Sequence, residues 1–189
     1  MTELIIFIGI PVALAAFIIM IYNGIVGRFN AVERAWASVL TQERQKNKII
    51  PAVEKMVEDY KLHEGGLLTE VTKLRSAIQE LQNGEVNPQK LSVTEQLASS
   101  LLQGLKVTVE AYPELKASDV YLKVMAEISE QQEQIAAAIR IFNQNVEDFN
   151  NGIQMFPGSL VNSFLNKKSK VETFSDSQAS SGFDYKPNV

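Results

Sequence analysis

The feature that most constrains this chain is a charge-free stretch near its N-terminus, between Glu3 and Arg28. From Leu4 to Ile21 every residue is apolar or small. As a helix this part spans roughly 27 Å, and continuation to Val26 covers a hydrocarbon core of about 30 Å. The stretch therefore predicts one transmembrane anchor at residues 1–27, with Tyr22 as an aromatic anchor at the membrane interface.

A cleaved signal peptide is the alternative interpretation of the same stretch. Such a peptide needs basic residues ahead of its apolar run and small residues after it. Here the only charged side chain ahead of the run is Glu3, and Phe17 to Met20 follow the alanines at its centre. We therefore favour a retained anchor.

Basic residues follow the apolar stretch, whereas none precedes it. Those within about twenty residues of its end are Arg28, Arg34, Arg44, Lys46 and Lys48. Because positive charge is enriched on the cytoplasmic side of membranes, the sequence predicts an outside N-terminus and a cytoplasmic domain.

Composition excludes several functional classes. The 189 residues contain no cysteine, which removes disulfides, thiolate metal sites and cysteine nucleophiles. Acidic and basic residues are interleaved with a net charge of −4, so no nucleic-acid partner is predicted. The single histidine, His63, lacks the second and third ligands or the nucleophile that catalysis needs, and we interpret it as a surface residue. The sequence predicts no enzyme, no metal and no cofactor.

The rest of the chain follows a heptad pattern typical of packed helices. One apolar stripe comprises Ile25, Phe29, Val32, Trp36 and Val39, and it resumes at Ile50. Between these two parts stand Glu43 and Lys46, which lie either within the stripe or just beside it. We favour the second position, since burying unpaired charges is costly. A kink or a helix boundary is expected at Pro51.

A second long helix is predicted from Ser118 to Phe156, and its apolar stripe runs from Tyr121 to Phe156. Gln132 is the only polar residue at a stripe position, and for it too we favour a place just beside the stripe. Shorter helices are expected from Leu67 to Leu81, and from a capping box at Ser92 and Glu95 to about Tyr112. The predicted fold is all-α: a single N-terminal transmembrane helix followed by an elongated antiparallel helical bundle at residues 28–156.

Pro157 and Gly158 end the second long helix, and a short amphipathic stretch follows. One interpretation of residues 157–169 is an interfacial segment on the membrane, and a bundle-capping turn with a solvated basic tail is equally compatible. Residues 170–189 are predicted to be disordered. The predicted membrane-interface residues are Tyr22, Arg28, Leu160, Phe164, Leu165, Lys167, Lys168 and Lys170.

Short motifs occur along the chain from Tyr22 to Phe156, and the most specific of them is the hexapeptide from Tyr112 to Ala117. Together these motifs resemble those of the LemA family of bacterial membrane proteins. One departure is Ile139, where the family usually has arginine. The motif residues are Tyr22, Asn23, Asn30, Trp36, Pro51, Tyr112, Pro113, Glu114, Phe142, Asn143, Phe156 and Pro157.

The resemblance implies a helical bundle anchored in the bacterial cell (inner) membrane, with no enzymatic activity. It also implies a link to envelope maintenance, by association with a membrane zinc metalloprotease. We therefore expect a scaffold or adaptor that self-associates as a homo-oligomer or partners such a protease. The alternative is a lipid-binding, membrane-remodelling protein whose partner is the lipid bilayer, acting through the C-terminal basic segment. A hydrolase using His63 is the weakest hypothesis.

Overall fold

The computed structural model describes residues 2–59, 66–83 and 85–175, with side chains from residue 7 onward except Asp59. All regular structure in this part of the chain is helical, which confirms the all-α prediction. His63 lies outside the described residues. The chain divides into two compact units. Of the described residues, the first unit combines those up to 35 with residues 141–173, and the second combines those between 36 and 140 with residues 174 and 175.

The described residues form six α-helices of varied length. They are α1 (Thr2–Asp59), α2 (Gly66–Gln82), α3 (Pro88–Glu110), α4 (Pro113–Lys116), α5 (Asp119–Gln154) and α6 (Gly158–Val161), which continues into a π-helical turn at Asn162–Asn166. The expected boundary at Pro51 is absent, because α1 continues to Asp59. Ile50 and Val53 on either side of this proline are buried, and their packing offsets the hydrogen bond that proline lacks.

The N-terminal part of α1 is long and apolar enough to cross a membrane, judged by length and composition. Its most apolar window of 18 residues has a mean hydropathy of 2.1, and 6% of that window is buried within the protein. Its large side chains, such as Phe7, are therefore left exposed by the fold.

The second unit is a four-helix bundle. It packs the C-terminal part of α1 and the N-terminal part of α5 with α2 and α3, and consecutive helices run in opposite directions. Arg75 of α2 donates to Glu54 of α1 at 2.8 Å, and Leu67 at the start of α2 lies beside Gly104 late in α3. The bundle core consists of Ile50, Val53, Met56, Val57, Leu67, Val71, Leu74, Ile78, Leu101, Leu105, Val109, Leu115 and Val124.

The predicted capping box at Ser92 is wrong. Helix α3 begins four residues earlier at Pro88, and the Asn87 side chain accepts a hydrogen bond from the Lys90 backbone N–H at 2.9 Å. The dipeptide Asn87-Pro88 supplies the N-cap and the first helical residue. Asparagine is a strong N-cap and proline is well suited to the position after it.

Replacing Asn87 with alanine is therefore expected to lower the free energy of unfolding by about 1 kcal/mol. Ser92→Ala, inside α3, is the matched control and is expected to change it by less than about 0.5 kcal/mol. Urea unfolding followed by far-UV circular dichroism, in mild detergent, measures both. A larger loss in the Ser92 variant would restore the capping-box interpretation.

Gln132 of α5 is exposed, in agreement with the favoured position beside the stripe. The buried residues of this part of α5 are Val124, Ile135 and Ala138. A predicted member of the stripe, Phe156, is exposed as well. Phe156 is 79% exposed, because α5 ends at Gln154 and the chain then turns at Pro157. A heptad frame extended past the helix end therefore misplaces Phe156.

The first unit packs the N-terminal part of α1 against the C-terminal part of α5. Phe29 of α1 and Phe149 of α5 have ring centroids 5.4 Å apart at an interplanar angle of 60°. This tilted arrangement is favourable for aromatic pairs. Other buried apolar side chains of this unit are Ile25, Val32, Phe142, Val146, Ile153 and Val161.

The Asn150 side chain of α5 holds the chain that follows the π-helical turn. The Asn150 amide donates to the Val171 carbonyl at 2.8 Å, and its oxygen accepts from the Val171 N–H at 3.0 Å. The predicted disorder begins at Lys170, yet the next residue has both backbone groups hydrogen-bonded. The end of that predicted segment, residues 176–189, lies outside the described residues.

Candidate functional site

A group of three charged side chains lies inside the four-helix bundle. Glu43 is fully buried and Lys46 is 8% exposed, so both lie within the α1 stripe. The prediction that Glu43 and Lys46 lie beside the stripe is wrong. Val39, Glu43, Lys46 and Ile50 follow one another at heptad spacing, and this spacing is the sequence signal for the burial. Glu95 on α3 is the partner that compensates the buried Lys46 charge.

Lys46 bridges the two carboxyl groups. Its Nζ lies 2.5 Å from Glu95 Oε1, and 3.1 and 3.0 Å from Glu43 Oε1 and Oε2. Nearby, the Gln131 amide of α5 donates to the Gln42 backbone carbonyl at 3.1 Å. This polar layer links α1 to both α3 and α5.

The two carboxyl groups of this layer have opposite pKa shifts. Burial raises the pKa of Glu43 well above its ordinary value, and the hydrogen bond with Glu95 raises it further. Burial alone would raise the pKa of Glu95 as well. The hydrogen bond from Glu43 and the charge of Lys46 outweigh burial and lower it. These shifts favour the protonated form of Glu43 and the ionised form of Glu95, which pairs with Lys46.

A catalytic role for this layer would need a path by which a substrate reaches it. It would also need a further reactive group beside the paired carboxyl and ammonium groups. The adjoining cavity of about 60 Å³ is walled mainly by aliphatic side chains, including Ile49, Leu74 and Leu101. In the described part of the chain, no three His, Cys, Asp or Glu side chains are arranged to hold a metal ion. The arrangement can share one proton between two carboxyl groups and tie three helices together.

The predicted membrane-interface residues all belong to the first unit. Tyr22 and Arg28 are exposed at the end of the apolar part of α1. Beyond α5, Phe164 is 76% exposed, and Leu160 and Leu165 are each 53% exposed. Exposed apolar residues on such a short segment are typical of a surface that meets another apolar phase.

The three predicted interfacial lysines differ in their surroundings. Lys168 Nζ lies 3.6 Å from the centre of the Phe29 ring, a cation–π contact within the unit. Lys167 has a left-handed backbone, with φ of 52°, and its N–H closes the π-helical turn on Asn162. Lys170 is exposed.

The family-motif residues mostly have structural positions. In the hexapeptide, Pro113 begins α4, the Tyr112 carbonyl accepts from the Leu115 N–H, and Leu115 is fully buried. Trp36 and Phe142 are buried, Asn143 is half-buried, and Glu114 is exposed with Asn23, Asn30 and Pro51. These residues are spread over both units and form no single site.

A close backbone approach fixes the turn after α5. A Cβ atom on Gly158 would lie 2.0 Å from the Gly152 carbonyl oxygen. Gly158→Ala is therefore expected to lower the free energy of unfolding by about 1–3 kcal/mol through overpacking. Hydrogen exchange should also become faster at residues 158–166.

Gly27→Ala is the matched control for this variant. No atom lies within 4 Å of the added methyl group there, so its effect should be small and favourable through helix propensity. Equal effects of the two substitutions would show that the close approach at Gly158 does not constrain the turn.

Comparison with known proteins identifies one family. Residues 35–186 match the model of the LemA family. A protein named LemA from Metamycoplasma hominis is 28% identical over 127 residues, which cover 67% of this chain. The chain spans 57% of the length of that relative.

Proposed function

Since the chain belongs to the LemA family, we propose that it is a non-enzymatic scaffold or adaptor anchored in the bacterial inner membrane by α1. Its bundle lies in the cytoplasm and its N-terminus outside. It acts by associating with itself or with a membrane protein in envelope maintenance, a membrane zinc metalloprotease being the expected partner.

The observation that carries this proposal is the composition of α1. Within the first unit, one uninterrupted helix contains the exposed apolar stretch and then buried stripe residues, such as Ile25 and Val32. Such a helix suits a membrane anchor that leads directly into a folded part of the protein. The polar layer at Lys46 supports a structural rather than a catalytic interior, since its charges are mutually neutralised.

Light scattering of the full-length protein after mild detergent extraction tests the proposal. We expect a mass above that of a monomer, either from copies of this chain or from a complex with a membrane protein identified by mass spectrometry. A monomer without a partner, extracted from membranes in which both were present, would contradict the scaffold role.

The proposed orientation can be tested separately because the chain has no cysteine. Glu130→Cys, on the exposed face of α5, introduces a single reactive thiol. A membrane-impermeant thiol reagent applied to intact spheroplasts should leave it unlabelled, and Thr2→Cys should react. Labelling in the reverse order would overturn the orientation.

A second candidate function is lipid binding by the segment after α5. It is favoured by the exposure of Leu160, Phe164 and Leu165, three apolar side chains directly ahead of Lys167 and Lys170. Apolar residues that insert at the interface, next to lysines that attract anionic headgroups, are typical of interfacial anchors.

A fluorophore on Phe164→Cys in reconstituted full-length protein tests this second function. Spin labels placed near the lipid headgroups should quench it, and the same fluorophore on Glu133→Cys in the bundle should remain unquenched. Quenching at neither position would exclude interfacial contact of the segment.

A further inference from the structure

A groove in the first unit has the chemistry of a lipid headgroup site. We propose that it binds a zwitterionic phospholipid headgroup, one that carries a phosphate and a primary ammonium group. This inference rests on the proposed membrane anchoring of α1.

The groove lies where the apolar part of α1 ends. It has a volume of about 550 Å³, within the range of small-molecule sites. Met20, Ile21 and Gly24 contribute one wall from α1, and Met155 and Phe156 contribute the other. If α1 spans the bilayer, this places the groove at the level of the headgroups.

The two walls are apolar, whereas one end of the groove is polar. Arg28, the first charged residue after the apolar stretch, lies there with Asp148 and Asn151. The arrangement matches a lipid, whose acyl chains and glycerol need apolar walls and whose headgroup needs charged partners. A water-soluble ligand would gain little from Met20 or Phe156, which are largely exposed.

Two glycines position the Arg28 side chain against this groove. A Cβ on Gly152 would lie 3.0 Å from Arg28 Cδ, and one on Gly24 would lie 3.6 Å from an Arg28 guanidinium nitrogen. The arginine therefore lies flat against the backbone of α5, in space that a side chain at Gly152 would restrict. Its planar guanidinium can donate two parallel hydrogen bonds to a phosphate.

The charges of the groove favour a zwitterion over an anion. Arg28 and Asp148 line the same groove but form no ion pair with each other, in the described part of the chain. One positive and one negative side chain complement a phosphate and an ammonium group. A purely anionic headgroup would leave Asp148 facing a like charge, and a choline headgroup has no N–H to donate to it.

The test is lipid retention by the full-length protein after reconstitution in vesicles. The vesicles contain equal amounts of phosphatidylethanolamine, phosphatidylcholine and phosphatidylglycerol. After mild extraction, native mass spectrometry counts the lipids that remain bound. We expect phosphatidylethanolamine to be retained on the order of tenfold more than either other lipid, as charge-assisted hydrogen bonds imply.

Two substitutions should act in different ways. Arg28→Gln should reduce retention of all three lipids about tenfold by removing the phosphate contact. Asp148→Asn should abolish the preference for the ammonium headgroup and raise retention of phosphatidylglycerol. Matched controls are Arg44→Gln and Glu147→Gln, exposed residues that do not line the groove.

A third substitution tests the space beside Arg28. Gly152→Ala should weaken lipid retention without changing any charge of the groove.

Flotation of the same vesicles separates failure of the anchor from failure of the site. If the protein does not float, the proposed anchoring is wrong. If it floats but retains phosphatidylglycerol preferentially, retains no lipid, or loses retention equally in the control variants, the zwitterionic headgroup site is overturned and the anchor stands.

Discussion

Lys46→Met is expected to lower the free energy of unfolding by about 3 kcal/mol, although the new side chain is apolar and similar in length. The loss comes from Glu95, whose side chain is 26% exposed and whose charge Lys46 compensates. Without the ammonium group, this largely desolvated carboxylate loses its ion pair and its hydrogen bond from Lys46 Nζ. Urea unfolding of the full-length protein in mild detergent, followed by circular dichroism, measures the change.

A second substitution distinguishes this cause from a packing defect. Adding Glu95→Gln to Lys46→Met removes the uncompensated charge and should recover most of the lost stability. Lys48→Met, on the exposed face of α1, serves as the control and should have little effect. Additive losses in the double variant would mean that the charges of the layer are not coupled.

The same layer makes stability depend on pH in a defined direction. Because the pKa of Glu43 is raised on folding, its contribution is fully present below its unfolded pKa of about 4.3 and is lost as the pH rises through the folded value. The pKa of Glu95 is lowered, so its contribution is lost as the pH falls through its folded value. Glu43→Gln keeps an amide donor for Glu95 but cannot ionise.

Between pH 5 and the folded pKa of Glu43, we expect Glu43→Gln to gain stability relative to the unmodified protein, by up to about 1.4 kcal/mol per pH unit. Unfolding curves recorded from roughly pH 5 to 8 measure this difference. Glu130→Gln, at an exposed position of α5, should give a curve parallel to that of the unmodified protein. A parallel curve for Glu43→Gln would show that Glu43 is not protonated in the folded state.

Phe149→Ala is the other substitution with a large expected effect, a loss of about 3–5 kcal/mol. Phe149 is fully buried, and its ring supports Phe29, which in turn holds the Lys168 ammonium. The cavity therefore removes an aromatic pair and loosens a cation–π contact. Urea unfolding measures the loss, and hydrogen exchange should become faster at residues 167–171.

The matched control for Phe149 is Phe164→Ala, because the same substitution at a 76% exposed position leaves no cavity. It should change the free energy of unfolding by less than about 0.5 kcal/mol. Phe149→Leu should lose less than Phe149→Ala, since it fills more of the space. Equal losses for Phe149→Ala and Phe164→Ala would contradict the packing described for the first unit.

Much of the helical arrangement could be predicted from apolar spacing, since residues such as Val32, Trp36 and Phe142 repeat at the period of a packed helix. The start of α3 could not, because Asn87-Pro88 suits both a loop and a helix start, and Ser92 offered a competing cap. Tertiary packing decides between such local signals. The end of α5 was likewise misplaced: the apolar spacing continues to Phe156, whereas the helix ends at Gln154.

The candidate sites show a different limit. The sequence marks Glu43 and Lys46 as breaks in an apolar stripe, but their burial depends on Glu95, which is far away in the chain and has no local signal. The groove at Arg28 likewise depends on Gly152 and Asp148. Periodicity reports which face of a helix is inward, whereas pairing across helices requires the fold itself.

The unbroken course of α1 has a consequence for membranes of different thickness. Within the first unit, the apolar stretch and the turn bearing Phe29 belong to one helix with no break between them. A spanning helix responds to a thinner bilayer by tilting. If α1 spans a membrane as proposed, a tilt would also move the end of α5 through Phe29 and Phe149. It would then change the depth at which the ring of Phe164 could reach the lipids.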